Sequence, residues 1–318
     1  MSNITPPTAE GIAAAAGRID PVFLDTPLVE HDEANAALGC RLLAKVETLN
    51  PIRSFKGRGT DWWLAHLPAS DRPIVSASAG NFGQGLAYAA RRRGRRLTVF
   101  AAAAANPGKV AAMRRLGATV VLDGADFDAA KTAARRFAAA EGLIFVEDGG
   151  ERLIAEGAGT IAREITETLD RRQAALDALV VPLGNGALLT GMGAWMRAAR
   201  PGARVIGVVA AAAPAMKLSF ERGRPEATAQ AETMADGIAV REPVDYALAC
   251  MRTTVDEVLA VDEAAIGDAM TFCRRHYGLI VEPAGAAGLA GVMACAGRFA
   301  GRTVATVLCG GNIPAAGT

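Results

Sequence analysis

The chain has 318 residues, with 34 Lys+Arg against 33 Asp+Glu and a formal net charge of +1 at pH 7. That length suggests two domains or one large α/β unit. The near-neutral charge excludes a general nucleic-acid binder, which carries a basic excess, and no apolar run reaches the roughly 18 residues of a membrane span.

In chain order, short β-branched runs alternate with Ala-rich helical stretches. Strands are predicted at Ile74–Ser76 and Leu97–Ala101, with helices at Gly83–Arg93 and Gly108–Leu116 around the second of them. Strands Thr119–Leu122 and Ile144–Val146 flank a helix at Asp126–Ala140, and a helix at Arg152–Leu169 follows. Leu179–Pro182, Arg204–Val209 and Thr303–Leu308 complete the strands. Most of these strands are continuous apolar runs, as strands covered on both faces should be. Their alternation with helices implies parallel sheets built from right-handed crossovers. The polar stretch Glu221–Glu232 reads as a surface loop. The run Arg91-Arg92-Arg93-Gly94-Arg95-Arg96 reads as cations at a helix C-terminus capped by Gly94.

His31, His66 and His276 show no metal-ligand spacing and read as surface or structural residues. The cysteines, Cys40, Cys250, Cys273, Cys295 and Cys309, form no Cys-x-x-Cys pair. A disulfide framework or a Cys-based zinc site is thereby excluded, and a reducing cytoplasm is favoured. The N-terminus shows no basic region ahead of an apolar stretch, so no signal peptide is read. Neither a Gly-x-Ser-x-Gly elbow nor a Gly-Lys-Ser/Thr phosphate loop occurs.

Four segments carry residue types that packing alone explains poorly. In Asn50-Pro51-Ile52-Arg53-Ser54-Phe55-Lys56, Ser54 can cap a helix beginning near Phe55. Lys56 would then stand in a first helical turn, where the dipole disfavours the ammonium relative to a nucleophilic neutral amine. The segment Ser76-Ala77-Ser78-Ala79-Gly80-Asn81 joins a strand to a helix, and its backbone N–H groups can receive an anion. Gly184-Asn185-Gly186-Ala187-Leu188 follows an apolar strand and reads as a phosphate cradle. A dinucleotide reading fails there because the next strand lacks an acidic ribose partner. Glu282 lies in an apolar context where a carboxylate needs a partner, and Cys309 ends a buried strand just before two glycines.

Together and in order, these segments resemble the fold type II pyridoxal-phosphate enzymes, specifically the serine/threonine dehydratase (ammonia-lyase) family in its short form. The matching residues are Thr26-Pro27-Leu28, Lys45 with Glu47, Ser54-Phe55-Lys56 with Arg58-Gly59, and Ser78 to Asn81 with Gln84-Gly85. They continue with Gly184–Leu188, Ala235 to Val240, Glu282-Pro283-Ala284-Gly285 and Cys309-Gly310-Gly311-Asn312.

The resemblance implies an α/β fold like tryptophan synthase β, with two parallel-sheet, three-layer domains. A discontinuous large domain (residues 1–69 and 148–318) would embrace a small mobile domain (70–147). Lys56 would link covalently to pyridoxal 5'-phosphate and, once freed as a neutral amine, take the substrate α-proton. Phe55 would lie against the ring, Asn81 would hold its 3-hydroxyl, Gly184, Asn185, Gly186, Ala187 and Leu188 would bind the phosphate, and Glu282 and Cys309 would line the ring edge and nitrogen. Ser78, Ala79, Gly80 and Asn81 would receive the substrate carboxylate. The implied reaction is α,β-elimination from L-threonine, L-serine or a related β-hydroxy amino acid, giving a 2-oxo acid and ammonia. Bulkier or acidic substrates (3-phenylserine, 3-hydroxyaspartate) are the first alternative, and a non-catalytic cofactor binder the second. A cytoplasmic homodimer with no nucleic-acid or membrane partner is expected.

Departures from the family pattern refine this. Asn185 and Ala187 replace glycines of the phosphate loop, and asparagine tolerates positive φ better than most residues. Ala79 stands where serine racemases carry a second acid/base serine, and a methyl carries no proton, so racemisation is not expected. Val209 and Ala215 occupy positions that are carboxylates in metal-activated members, so no divalent site is expected there. The chain stops soon after Asn312, so no isoleucine control through a C-terminal regulatory domain is expected. Two residues can set substrate choice: Phe82 either walls off a substrate β-substituent or packs on the small domain, and Arg53 either pairs with a second substrate carboxylate or is a solvated loop residue.

Overall fold

In the computed structural model, which describes residues 4–313, the strands assemble into two sheets. They are β1 (Leu28–Val29), β2 (Arg41–Val46), β3 (Ile74–Ala77), β4 (Leu97–Ala101), β5 (Thr119–Leu122), β6 (Ile144–Val146), β7 (Ala178–Pro182), β8 (Arg204–Ala210), β9 (Glu257–Val261) and β10 (Thr303–Leu308). The larger sheet is ordered β1-β2-β10-β7-β8-β9 and the smaller β5-β4-β3-β6. All pairings are parallel except that of the two-residue β1 with β2. The chain therefore leaves the larger sheet after β2, builds the smaller one without interruption, and returns.

Burial accounts for some of the strands that the sequence displays. All of β7 is buried, as is β10 beyond Thr303. The hydroxyl of Thr306, inside β10, donates to the Val180 carbonyl at 2.8 Å, so its burial leaves no polar group unpaired. The strands that apolar runs did not reveal are β1, β2 and β9. Within β2, Lys45 interrupts the run, yet it is only 2% exposed. At the sheet edge, β9 carries Glu257, which pairs with Arg204 and Arg298 rather than with a core.

The explanation for Lys45 is a buried charge cluster beneath the larger sheet. Arg58 is fully buried, donating through Nε and Nη2 to Glu47 at 2.9 and 2.8 Å and through Nη1 and Nη2 to Glu164 at 2.5 and 3.0 Å. It also reaches Thr160 at 2.9 Å and Thr26 at 3.1 Å, while Lys45 Nζ pairs with Glu164 at 2.5 Å and donates to the Thr26 carbonyl. Two cations face two carboxylates, and nearly every donor has a partner, which is the condition under which buried charge is tolerated. Arg58 lies two residues after Lys56 on the helix Lys56–Ala65. The cluster thus fixes the helix that bears Lys56. Helix Arg152–Arg171 crosses that helix closely, for a Cβ on Gly157 would stand 2.6 Å from the Arg58 carbonyl oxygen and the Gly59 Cα.

Two local expectations change and a third, the loop reading of Arg53, is met. Ser54 does not cap the Lys56 helix: Phe55 is the N-cap residue, no side chain caps it, and the buried Ser54 hydroxyl has no partner. What holds this entry instead is the backbone, through Phe55 N–H donating to the Cys309 carbonyl at 3.1 Å and a bridge between Ser54 and Gly310. The arginine run does more than complement a dipole. Gly94 does adopt φ +62° after the helix Asn81–Arg92, but Arg92 and Arg93 also neutralise the fully buried Asp61. Arg53 is exposed, sits at φ +52° and offers its carbonyl to Gly311 N–H, so it serves the turn.

Candidate active site

A cleft of about 620 Å³ opens between the two sheets at the carboxyl ends of their strands, the usual ligand position in open parallel sheets. Ser78 to Asn81 follow β3, Gly184 to Leu188 follow β7, and Cys309 follows β10. Phe55, Lys56, Ser78, Ala79, Gly80, Asn81, Gly184, Asn185, Gly186, Ala187, Leu188, Glu282 and Cys309 all line this one cleft. Phe82 lines it too, 4% exposed and packed into the core of the smaller sheet. Arg53 does not line it.

Lys56 opens its helix with Nζ 4.7 Å from the Phe55 ring centroid and 5.7 Å from that of Phe82. The amine makes an ion pair at 2.5 Å with Asp148, whose other oxygen is buried and unpartnered. Asn185 Nδ2 also reaches Asp148, at 3.4 Å. Sequence reasoning missed Asp148; the signal available was a carboxylate just past an apolar strand and ahead of Gly149-Gly150.

Asn81 begins the helix Asn81–Arg92, donating through Nδ2 to Glu282 Oε1 at 2.5 Å and accepting from Asn312 Nδ2 at 2.8 Å. Asn312 N–H donates to the other Glu282 oxygen at 3.1 Å. Ser78 turns inward, its hydroxyl accepting from the N–H groups of Gly80 and Gly83 at 3.2 and 2.9 Å, which holds the loop to the start of the following helix.

The electrostatics separate two ring-edge candidates. Burial pushes the Glu282 carboxyl up to about 7, with Lys109 and the Asn81 amide only partly opposing it. Burial likewise drives the Cys309 thiol far up, so it stays neutral, with Sγ 3.8 Å from the Ala284 carbonyl. Because folding raises the affinity of Glu282 for its proton above that of an ordinary carboxyl at 4.5, stability should fall as pH rises from 4.5 to about 7. The contribution is on the order of 3 kcal/mol. Denaturation midpoints of the cofactor-free protein across that window should therefore be flatter in Glu282→Gln than in the wild type.

Pyridoxal phosphate fits these residues. Gly186 takes φ +96° at the start of the helix Ala187–Ala199, and a Cβ there would stand 2.5 Å from Ala247 Cβ. The following N–H groups thus open toward the cleft at a helix N-terminus. The left-handed residue of the cradle is Gly186, and neither Asn185 nor Ala187 adopts positive φ, so both substitutions are compatible with the loop. An aromatic ring at Phe55, a lysine amine, a phosphate-sized nest and a neutral thiol together supply what such a cofactor contacts.

Two ion pairs bridge the cleft from the segment around β4 to β6 to the larger sheet's loops: Lys109 with Asp236, and Arg241 with Asp128. The segment from Asp236 to Val240, whose motif was legible, lines the cleft and backs the cradle, with the Gly237 carbonyl oxygen 2.9 Å from where a Gly184 Cβ would stand.

Among known proteins, the family described as pyridoxal-phosphate dependent enzyme matches this chain over residues 19–310. An L-threonine ammonia-lyase of Thermotoga maritima is 36% identical over 308 residues, 96% of this chain and 76% of that protein. One from Geobacter sulfurreducens is 36% identical over 291 residues, covering 91% and 71%. The crystal structure of the T.th. threonine deaminase superposes with a TM-score of 0.92 at 31% identity, covering 98% of this chain and all of that one.

Proposed function

Because this chain belongs to the family of pyridoxal-phosphate dependent enzymes, we propose that it is an ammonia-lyase that removes the hydroxyl of L-threonine, L-serine or a related β-hydroxy amino acid, yielding a 2-oxo acid and ammonia. The observation that carries this reading is the convergence in one cleft of the Lys56 amine, the glycine-rich cradle and a neutral Cys309 thiol. Similarity to the ammonia-lyases named above supports it.

Gly184 to Leu188 would hold the cofactor phosphate, and Phe55, Asn81, Glu282 and Cys309 would line its ring. When bound, pyridoxal phosphate supplies an electron sink for charge developing at the substrate α-carbon. Cys309 offers that ring no anion, and a neutral partner favours expelling a β-substituent over storing charge. Lys56 Nζ is the base that takes the α-proton. The segment Ser78 to Asn81 orients the substrate carboxylate through the N–H groups of Ala79 and Asn81, those of Ser78 and Gly80 being bonded to the Phe100 carbonyl and the Ser78 hydroxyl. Ala79 presents a methyl where an acid for the opposite face would be needed, so proton return with inversion has no donor at that position.

The same reading makes residues 70–147 a small domain that closes on the larger one (residues 1–69 and 148–318), with the Lys109–Asp236 and Arg241–Asp128 pairs as its latches. Closure would exclude water from the reacting centre. A cytoplasmic homodimer completes the proposal; the five cysteines are all free, as in a reducing compartment.

The test is release of 2-oxo acid and ammonia from L-threonine, L-serine, threo-3-hydroxyaspartate and 3-phenylserine. Turnover of L-threonine or L-serine is expected. Turnover of 3-hydroxyaspartate or 3-phenylserine alone would move the assignment to the acidic or bulky alternative. Silence across the panel with cofactor bound would overturn the lyase reading in favour of a binding role.

A further inference from the structure

The fold brings together two of the three histidines, although 245 positions separate them. His31 is the N-cap residue of the helix Asp32–Leu38, and Glu33 stands in its first turn. His276 lies in the π-helical turn Cys273–Tyr277, which Gly278 closes at φ +63°. One ligand atom from each of His31, Glu33 and His276 lies within 4.8 Å of the others. The Nδ1 atoms of both histidines are shielded from solvent and have no hydrogen-bond partner. The rings meet edge-on with centroids 6.3 Å apart, and His276 is held from behind by Phe272 at 4.2 Å.

A shielded imidazole nitrogen without a partner is costly, and two such histidines beside one carboxylate make a donor set that a metal ion can satisfy. Metal bonds of about 2.0–2.2 Å in a tetrahedral site put ligand atoms about 3.3–3.5 Å apart, a contraction of roughly 1–1.5 Å that side-chain rotation can supply. None of the three residues lines the cleft.

We propose that His31, Glu33 and His276 form a binding site for a divalent transition-metal ion, with Zn²⁺ as the fitting ion, that clamps the start of the helix Asp32–Leu38 to the π-helical turn. Two imidazoles and one carboxylate select a borderline-soft ion over Mg²⁺ or Ca²⁺, which need oxygen ligands. The site leaves a fourth position for water. Its effect is on stability, because a ligand that binds the folded state alone raises the melting temperature by mass action.

The test uses the cofactor-loaded protein, freed of metal by a chelator and titrated with Zn²⁺ against a chromophoric competitor. One equivalent bound at micromolar affinity or tighter is expected, with Tm raised by about 4 °C at a hundredfold excess over Kd and no shift with Mg²⁺. His31→Ala and His276→Ala should each weaken Zn²⁺ by more than the roughly 10–100-fold that loss of a supporting outer contact costs. Glu33→Gln, at an exposed position that cannot endanger the fold, should weaken it by about tenfold. Cys295→Ala should change nothing. No uptake by the wild type, or one equivalent retained with unchanged affinity in both histidine variants and Glu33→Gln, would overturn the proposal.

Discussion

Replacing Lys56 by alanine is expected to lower ammonia release by at least about 10⁴-fold, because the proposed mechanism gives this one amine the tasks of covalent anchor and base. The fold should survive the change. Lys56 contributes one ion pair, to Asp148, and neither partner is fully buried, with side chains 15% and 14% exposed. Lys56→Arg sharpens the test. A guanidinium keeps the charge opposite Asp148 but cannot give up a proton, so it should be as inactive as alanine while melting near the wild type. Activity retained by the arginine variant would mean that Lys56 is a counter-ion for Asp148 and nothing more. Absorbance of the bound cofactor offers a second readout, since neither variant should form the covalent link.

Arg58→Met is expected to cost about 3–5 kcal/mol of stability, among the largest effects of any single change in this chain. Removing the guanidinium leaves Glu47 and Glu164 buried with Lys45 as their remaining cation. Burial pushes the Glu164 carboxyl up, but the Arg58 guanidinium and the Lys45 ammonium together outweigh it and hold the group below 4.5. That stabilisation is complete above the unfolded value of 4.5 and is lost as pH falls through the lowered folded value. Urea midpoints should therefore show a steeper acid loss in the wild type than in Arg58→Met. Equal acid sensitivity, or a loss under about 1 kcal/mol, would show that the cluster is not the clamp described above. Activity should fall as well, since the helix that presents Lys56 depends on this anchor.

The elements legible in the sequence are those whose residues answer to one force. β4 and β10 appear at their predicted bounds because their apolar runs report burial directly, whereas β5 and β6, half-exposed at the edges of the smaller sheet, show at theirs through β-branched and aromatic residues. β2 was hidden because Lys45 reads as a surface residue until Glu164 and the Thr26 carbonyl are seen around it. The residues lining the cleft were legible because glycines, a lone buried carboxylate and a strand-ending cysteine are hard to explain by packing. Asp148 was not, because a carboxylate after a strand is common and its partner is 92 positions away. Arg53 left recognition of a substrate carboxylate or a solvated loop position open, and its exposure and left-handed backbone angle give the second. His31 and His276 share no local pattern, so no spacing rule could have paired them.

The position of β10 has a consequence for how the molecule is made. This strand lies between β2 and β7, residue against residue from Thr303 beside Arg41 to Leu308 beside Val46. During synthesis the sheet of β3 to β6 can close as soon as its own contiguous stretch emerges, whereas β2 must wait through more than 250 residues for its neighbour. Until then β2 and β7 each present an open apolar edge, the kind of surface that recruits other chains. A ribosome that stalls or terminates shortly before residue 303 would release an aggregation-prone product rather than a weak enzyme. The larger sheet cannot be completed before β10 is made.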